Sequence, residues 1–596
     1  MGSCVQSAAA PPVHRVECPG GPRVVIVGGS AAGASTAARL RRLSESAEIA
    51  IIEKGGYVSF ANCGLPYYLG GEIQLWDSLQ VTTPETLKSR FNLHVYTGTE
   101  VLAIDKGAKT VKVREHSSGE ESTHGYDELV LTVGCESLVP KAIPGIDRPG
   151  HFVLRSLEDT SAIEVHMATK HPERVVICGG GFIGLEVAEQ MRLKGVPEVH
   201  VVELAPQVMA PLDQEMAHYL HEELRRKGVR LHLSDGVSAF KDGTGSPLSI
   251  ASDVVLNSGE MLHADMVILA MGIRPCTQLA KDAGLDLSPA GYVKVDERMR
   301  TSDEHIWAAG DAVEVRNRAL GGDHMWAVAL GGPANRQGRV IADHLGKAES
   351  PSTYKGTIGA SVVKVFDLTA ASVGVNERTL KQQGVAYKAI YTHTAQHAGY
   401  YPNACPIHLK LLFEPSTGTI FGAQAVGREG VEKRVDVLSS AMQSGMKAND
   451  LADLELCYAP PYGSARDPVN QAGMIAGNLM LGLMESVTPM DLETMLRAGR
   501  PVTLLDVREA SELEADGAFP TTAAQVHVPL GDLRERLPAL KSEGTLASEV
   551  VVACKSGQRA HVGARLLRQL GFPDAKILSG SFLTATISAG MLREAR

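Results

Sequence analysis

Two glycine turns, each set between a short apolar run and a helix-forming stretch, constrain this 596-residue chain more than any other feature. The first is Gly28-Gly29-Ser30-Ala31-Ala32-Gly33, after R-V-V-I-V and before A-S-T-A-A-R-L-R-R-L. The strand that follows, E-I-A-I-I-E, ends at Glu53. The second is Gly179-Gly180-Gly181-Phe182-Ile183-Gly184, a full G-x-G-x-x-G between E-R-V-V-I-C and L-E-V-A-E-Q-M-R-L, with V-H-V-V-E ending at Glu203. Each reads as a strand–turn–helix–strand unit with parallel strands. Such a turn brings backbone N–H groups and a helix N-terminus against a pyrophosphate, and an acid about 20 residues on takes ribose hydroxyls. Gly28, Gly33 and Glu53 fill these roles in the first unit, with Ser30 in place of the middle glycine. Gly179, Gly181, Gly184 and Glu203 fill them in the second. An acid at 203 suits an unphosphorylated ribose and argues for NADH over NADPH. Two dinucleotide sites in one chain imply a flavin beside a nicotinamide. A later segment, I-W-A-A-G-D-A, reads as a strand ending at Asp311, where a carboxylate can take a sugar-alcohol hydroxyl. It returns the chain to the first unit, so the second is an insertion.

A chain of this length needs about three to five domains. We expect a disordered tail over 1–22, an FAD-binding domain over 23–150 and 274–345, and an NAD(P)-binding domain over 151–273. Alternating strands and a helix over 346–475 form an α+β domain, 476–488 a linker, and 489–590 a last small α/β domain. The tail could carry an acyl group at Gly2 or Cys4, or a weak transit signal. The net charge of −10 argues against a nucleic-acid footprint, and no apolar run is long enough to span a membrane.

The nine cysteines are scattered, with no C-x-x-C pair and no zinc spacing, so no metal site is expected. This usage points to a reducing compartment, the cytoplasm, and to thiols that act singly. Cys63, in V-S-F-A-N-C-G-L-P-Y-Y, precedes Gly64 and Pro66, a helix-starting pair. A thiol at a helix N-terminus is expected to fall from about 8.5 towards neutrality, and Ser59 and Asn62 could add hydrogen bonds. No second cysteine stands close by in sequence, so a redox partner must come from elsewhere, such as a substrate. Cys554 ends the strand E-V-V-V-A-C and opens C-K-S-G-Q-R before another helix. Backbone N–H groups and a closing Arg559 would cradle an anionic sulfur there. Four residues separate Cys554 from Arg559, one fewer than in cysteine-dependent phosphatases of similar shape, which favours sulfur over phosphate.

These motifs carry a family resemblance. Residues 23–475 resemble the pyridine nucleotide-disulfide oxidoreductases, in the single-cysteine branch that holds coenzyme A (CoA)-disulfide reductase and NADH oxidase. The matching stretches include S-F-A-N-C-G-L-P-Y, P-L-D-Q-E-M-A, P-A-N-R-Q-G-R, V-F-D-L-T-A-A-S-V-G and Y-A-P-P-Y. Residues 489–585 resemble a rhodanese domain, and the whole is similar to CoA-disulfide reductase–rhodanese fusions. The resemblance implies an α/β protein with two Rossmann-like FAD and NAD domains, the NAD domain inserted, an α+β dimerisation domain and a C-terminal rhodanese-like domain. It implies a homodimer that reduces CoA disulfide, CoA persulfide or polysulfide. Cys63 would form a mixed disulfide with CoA, Ser59 and Asn62 would flank the CoA thiol, and Arg39 and Arg42 would meet CoA phosphates. Tyr400 and Tyr458 would reach the other subunit's site and protonate departing CoA. Cys554 would carry a persulfide. The chain departs from the family pattern at Ser30 and Ala32, at Thr132-Val133-Gly134, at Leu330-Gly331-Gly332 and in the closing Leu578-Ser579-Gly580-Ser581-Phe582, none of which removes a reacting group. Rival readings are an NADH oxidase or peroxidase working through a Cys63 sulfenic acid, and a redox-sensing flavoprotein that acts as an interaction module.

Overall fold

The computed structural model describes residues 21–243 and 251–594; the expected tail and its acylation sites lie outside them. Two five-stranded parallel sheets form on the two glycine-turn units. The first has the order Ile306–Ala308, Glu128–Leu131, Arg23–Val27, Glu48–Ile52, His94–Tyr96. The second has the order Val229–Leu233, Glu198–Glu203, Arg174–Cys178, Met266–Leu269, His151–Phe152. Their strands are near-continuous apolar runs because helices cover both faces. Each unit also carries a three-stranded antiparallel sheet, over 99–125 and over 237–264. Cys135–Ser137 and Ile273–Pro275 pair antiparallel where the chain leaves the first unit and returns to it, so the second unit is an insertion.

The return is sealed by helix-on-helix packing. Helix Gly331–Leu345 lies on helix Ala31–Leu43. At Gly338 a Cβ would fall 2.5 Å from the Ala32 carbonyl oxygen, so only glycine allows this approach. Thr36 hydrogen-bonds the Gly338 carbonyl across the contact at 3.2 Å.

Residues 361–427 form a five-stranded antiparallel sheet in the order Ser361–Val365, Leu368–Gly374, Ile420–Gly427, Pro406–Phe413, Lys388–Ala395. Helices Val431–Ser444 and Pro468–Met480 pack on it. The last domain is a parallel sheet in the order Ser486–Val487, Lys576–Leu578, Glu549–Ala553, Val502–Asp506, Ala524–His527. The linker expected over 476–488 takes a different form. Helix Pro468–Met480, with an Asp467 capping box, runs through its first residues, and Ser486–Val487 already belongs to the last sheet. Among the described residues no helix is long and apolar enough to cross a membrane.

The domains meet at a buried charge. Lys410, with no exposed surface, lies 2.7 Å from both Asp213 and Glu377 and also contacts Glu215. Its ammonium fills the one trio of carboxylates among the described residues spaced to hold a metal ion. Tyr391 donates its hydroxyl to Glu215 at 2.8 Å and its backbone N–H to Ser579 of the last domain at 3.1 Å. His393 meets Thr584 at 2.6 Å, and helix Ser581–Glu594 packs on helix Gln214–Arg226.

Removing Lys410 leaves the buried Asp213 and Glu215 without their cation and half-buried Glu377 with Lys381 alone, so Lys410→Met is expected to cost about 3–5 kcal/mol, read as a lower urea midpoint at pH 7. Burial alone would raise Glu377, but the Lys410 charge overrides it and holds the carboxyl at about 2, against 4.5 ordinarily. Its contribution is therefore complete above pH 4.5 and is lost as pH falls towards 2. The gap between variant and wild type should narrow over that window.

Candidate active site

A cleft of about 1490 Å³ opens at the carboxyl ends of the first sheet, where parallel sheets bind ligands. Gly28, Ser30, Glu53, Gly134, Asp311 and Cys63 all line it. The glycines are required locally. Gly28 has φ +99°, and a Cβ there would lie 2.3 Å from the Thr132 carbonyl oxygen; at Gly33 it would lie 2.0 Å from the Gly28 oxygen. Glu53 accepts the N–H of Gly29 at 2.7 Å and of Gly55 at 2.8 Å. The second turn repeats each device. Gly179 has φ +119°, a Cβ at Gly184 would sit 1.9 Å from the Gly179 oxygen, and Glu203 accepts Gly180 N–H at 2.8 Å and Ala205 N–H at 2.9 Å. The middle position explains Ser30. Ser30 and Gly181 have φ of −76° and −80°, ordinary for any residue, and a Cβ at Gly181 meets nothing within 4 Å.

These features fit FAD in the first unit. The glycine cradle excludes side chains, two helix N-termini (at Ala31–Ala32 and Gly331) line the cleft, and a pinned carboxylate waits at the ribose position. Thr132 serves the same turn, donating to the Gly28 carbonyl at 2.8 Å. Asp311 accepts from Arg155 and from the Cys135 thiol, each at 3.3 Å. After Glu203 come Leu204 and Ala205, with no cation for a 2′-phosphate.

Cys63 lies in a 3₁₀ turn, Asn62–Gly64, immediately before the short helix Leu65–Gly70, and is exposed at the cleft. Asn62 donates its amide to the Arg155 carbonyl at 3.1 Å. Ser59 adopts φ +50°, and its backbone, not its side chain, makes the local hydrogen bonds, to Gly29 and Val81. The expected fall of the thiol pKa is not found. Desolvation and then the Glu186 carboxylate push Cys63 up, against a smaller pull from Arg155. The helix is only six residues long, and its end field is outweighed. Glu186, on helix Phe182–Leu193 after the second glycine turn, is itself pushed up to about 7 by burial and accepts from the Tyr67 hydroxyl at 3.3 Å. Sequence reasoning missed Arg155, Glu186 and Tyr67, although Tyr67 closes the stretch S-F-A-N-C-G-L-P-Y. Two other thiols, Cys135 and Cys276, line the cleft. Burial pushes Cys135 up to about 12 and raises Cys276.

Arg39 and Arg42 are not among the residues lining the cleft. Arg39 pairs with buried Asp343 at 2.8 Å, and Arg42 is exposed. Tyr400 and Tyr458, far apart in sequence, come together with their hydroxyls 3.1 Å apart. They are 76% and 49% exposed and do not line their own chain's cleft.

Cys554 is buried at the end of Glu549–Ala553. Its sulfur accepts the Gly557 N–H at 3.1 Å, and its own N–H donates to Ser581 at 3.1 Å. Gly557 has φ +108°. The divergent closing motif thus works at both ends, Ser579 on Tyr391 and Ser581 on Cys554. Arg559 does not close the loop as expected. Its guanidinium makes a two-point contact with Glu512, at 2.5 and 2.7 Å, because helix Ala510–Asp516 presents that carboxylate to it.

Comparison with known proteins agrees with this geometry. Residues 22–330 match the model of the pyridine nucleotide-disulphide oxidoreductases, 360–468 that family's dimerisation domain and 488–584 the rhodanese-like domain. Coenzyme A disulfide reductase of Staphylococcus aureus (strain JH9) is 32% identical over 452 residues, 76% of this chain and 99% of the relative. The structure of reduced Bacillus anthracis CoADR-RHD is 42% identical, covering 96% of this chain and 99% of the other with a TM-score of 0.90. A NAD-dependent persulfide reductase from A. fulgidus is 37% identical, covering 94% and 99% with a TM-score of 0.84.

Replacing Glu186 with Gln removes a negative charge from Cys63. In reduced, NADH-free enzyme at pH 8 it is expected to speed iodoacetamide alkylation of Cys63 about three- to tenfold. Wild type should approach the variant as pH drops below about 7 and Glu186 takes a proton.

Proposed function

Because this chain belongs to the pyridine nucleotide-disulphide oxidoreductase family, we propose that it is an FAD-dependent NADH reductase of CoA disulfide and CoA persulfide, coupled to a rhodanese sulfur carrier. The observation that carries the reading is Cys63, the exposed thiol of a cleft in which Cys135 is buried and Cys276 half-buried. The second sulfur of the redox pair therefore comes from the substrate. The relatives named as a CoA disulfide reductase and a persulfide reductase support this substrate class.

Gly28, Gly33, Glu53 and Asp311 would hold FAD, and Gly179, Gly181, Gly184 and Glu203 the NADH. FAD, when bound, supplies the two-electron relay between NADH and a disulfide. The Cys63 thiolate attacks one sulfur of CoA disulfide; a Cys63–S–S–CoA bond forms, the substrate S–S bond breaks, and CoA leaves as a thiolate. With CoA persulfide, attack on the inner sulfur forms the same mixed disulfide and releases hydrosulfide. Two electrons and one proton then return Cys63 to its thiolate and CoA to a thiol. The protein works as a homodimer through residues 346–475, and the exposed Tyr400–Tyr458 pair of one copy protonates the departing thiolate at the other copy's cleft. Cys554 would accept or deliver the outer sulfur: its thiolate attacks the outer sulfur of a donor persulfide, the donor S–S bond breaks and the donor thiolate leaves, and a CoA thiolate then takes that sulfur from Cys554 to give the CoA persulfide that Cys63 attacks. The chain works in the cytoplasm, where the seven cysteines that the structure describes, all free, stay reduced.

Anaerobic NADH consumption tests the reading. It should require CoA disulfide or CoA persulfide and fall at least about 10³-fold in Cys63→Ser. Equal NADH loss with O₂ as sole acceptor would overturn it. The double variant Tyr400→Phe, Tyr458→Phe should lose about 10²-fold in kcat.

A further inference from the structure

Two loops carry the exposed tyrosines, and one buried guanidinium joins them. Residues 396–405 connect strand Lys388–Ala395 to strand Pro406–Phe413 and carry Tyr400. Residues 454–467 lead from the 3₁₀ turn Asn449–Asp453 to helix Pro468–Met480 and carry Tyr458. Arg434, on helix Val431–Ser444, is 2% exposed. Its Nη2 donates to the Gln396 carbonyl at 2.6 Å and to Asp467 at 2.9 Å, so a single nitrogen ties the start of one loop to the end of the other. Nε donates to the same Asp467 oxygen at 3.1 Å and Nη1 to the Gly430 carbonyl at 3.1 Å, which fixes the plane of the guanidinium.

Both anchors hold their loops. Buried Gln396 closes the first: its N–H donates to the Cys405 carbonyl at 3.0 Å, and its side chain accepts the Cys405 N–H at 2.6 Å and donates to the Asn403 carbonyl at 3.2 Å. Buried Asp467 also caps helix Pro468–Met480, accepting the Val469 N–H at 3.1 Å. Gly463 brings the second loop back to Arg434: a Cβ there would lie 4.0 Å from Nη2 and 3.4 Å from the Cys457 carbonyl oxygen. From these bases the Tyr400 and Tyr458 hydroxyls meet at 3.1 Å. A buried ion pair adds little net stability, and the two helices already pack on the sheet through apolar residues. What Arg434 adds is geometry, and a misplacement of about 1 Å at a reacting group can cost about 10²-fold. We propose that Arg434 is the positioning residue of the tyrosine pair: it fixes one loop against the other so that both hydroxyls reach one departing thiolate in the partner's cleft. This rests on the reading that the pair protonates that thiolate.

Full-length holoenzyme dimers provide the test. Arg434→Lys keeps the charge but loses the fork that bridges the loops. With NADH and CoA disulfide it should lose about 30-fold in kcat, with KM and the rate of flavin reduction by NADH within about twofold of wild type. In the Tyr400→Phe, Tyr458→Phe background the same change should cost less than about twofold more, whereas a general folding defect would lower both backgrounds alike. Arg434→Met with Asp467→Asn removes both buried charges together, leaving neither alone, and should repeat this pattern. Co-expressed hybrid dimers of an Arg434→Lys chain with a Cys63→Ser chain keep one intact Cys63 cleft served by wild-type tyrosine loops, and should recover about half of the wild-type kcat. A loss that adds fully to that of the tyrosine variant, or a hybrid no faster than the Arg434→Lys homodimer, would overturn the proposal. The hybrid of Cys63→Ser with Tyr400→Phe, Tyr458→Phe distinguishes the underlying reading: if it recovers nothing, the pair does not act on the partner's cleft, whatever Arg434 does.

Discussion

The Lys410 ammonium, buried among Asp213, Glu215 and Glu377, is the interaction on which the arrangement of domains depends. Asp213 and Glu215 come from the inserted unit, whereas Lys410 and Glu377 come from the region of the antiparallel sheet. A buried ion pair adds little net stability over an apolar contact, but leaving one partner alone is costly. Its effect is therefore on specificity: any other docking of the two parts would bury an uncompensated charge. Tyr391 extends the same network through Ser579 to the rhodanese domain. The Cys63 cleft and the Cys554 loop are thereby held in one framework.

The two nucleotide units solve one problem twice. In each, a positive-φ glycine, a second glycine that admits the turn's carbonyl and a glutamate pinned by two amides converge at the sheet's carboxyl edge. Pinning costs the glutamates none of their remaining acceptor sites, so each can still take sugar hydroxyls. The tolerance of Ser30 where the second unit has Gly181 follows from backbone geometry, since both positions have ordinary negative φ. What separates the units is what they bring to the Cys63 thiol: the first lines its cleft, and the second's own helix Phe182–Leu193 carries Glu186.

Much of this was legible in the sequence because the decisive features are local. Turn glycines, the acids that follow them and the cysteines before helices are specified by neighbours in the chain. The insertion was legible from Asp311 returning to the first sheet. What the sequence did not reveal depends on distant packing. Lys410 in H-L-K-L-L-F reads as a polar strand position, yet both faces of that strand are covered. The Cys63 pKa was misjudged because a six-residue helix competes with desolvation and with Glu186, 123 positions away. Arg559 was expected on Cys554 because Glu512, on another helix, is invisible to the loop motif. The helix Pro468–Met480 crosses an expected linker because it is packed from both sides, by the antiparallel sheet and by the rhodanese domain.

The central claim is that one cysteine of the chain and one sulfur of the substrate make the redox pair. Denaturing mass spectrometry of enzyme oxidised anaerobically with CoA disulfide tests it most directly. A single-cysteine mechanism predicts about one CoA per chain, on the peptide containing Cys63, released by about one equivalent of NADH. A disulfide between Cys63 and another cysteine of the chain, or an unmodified Cys63, would contradict it.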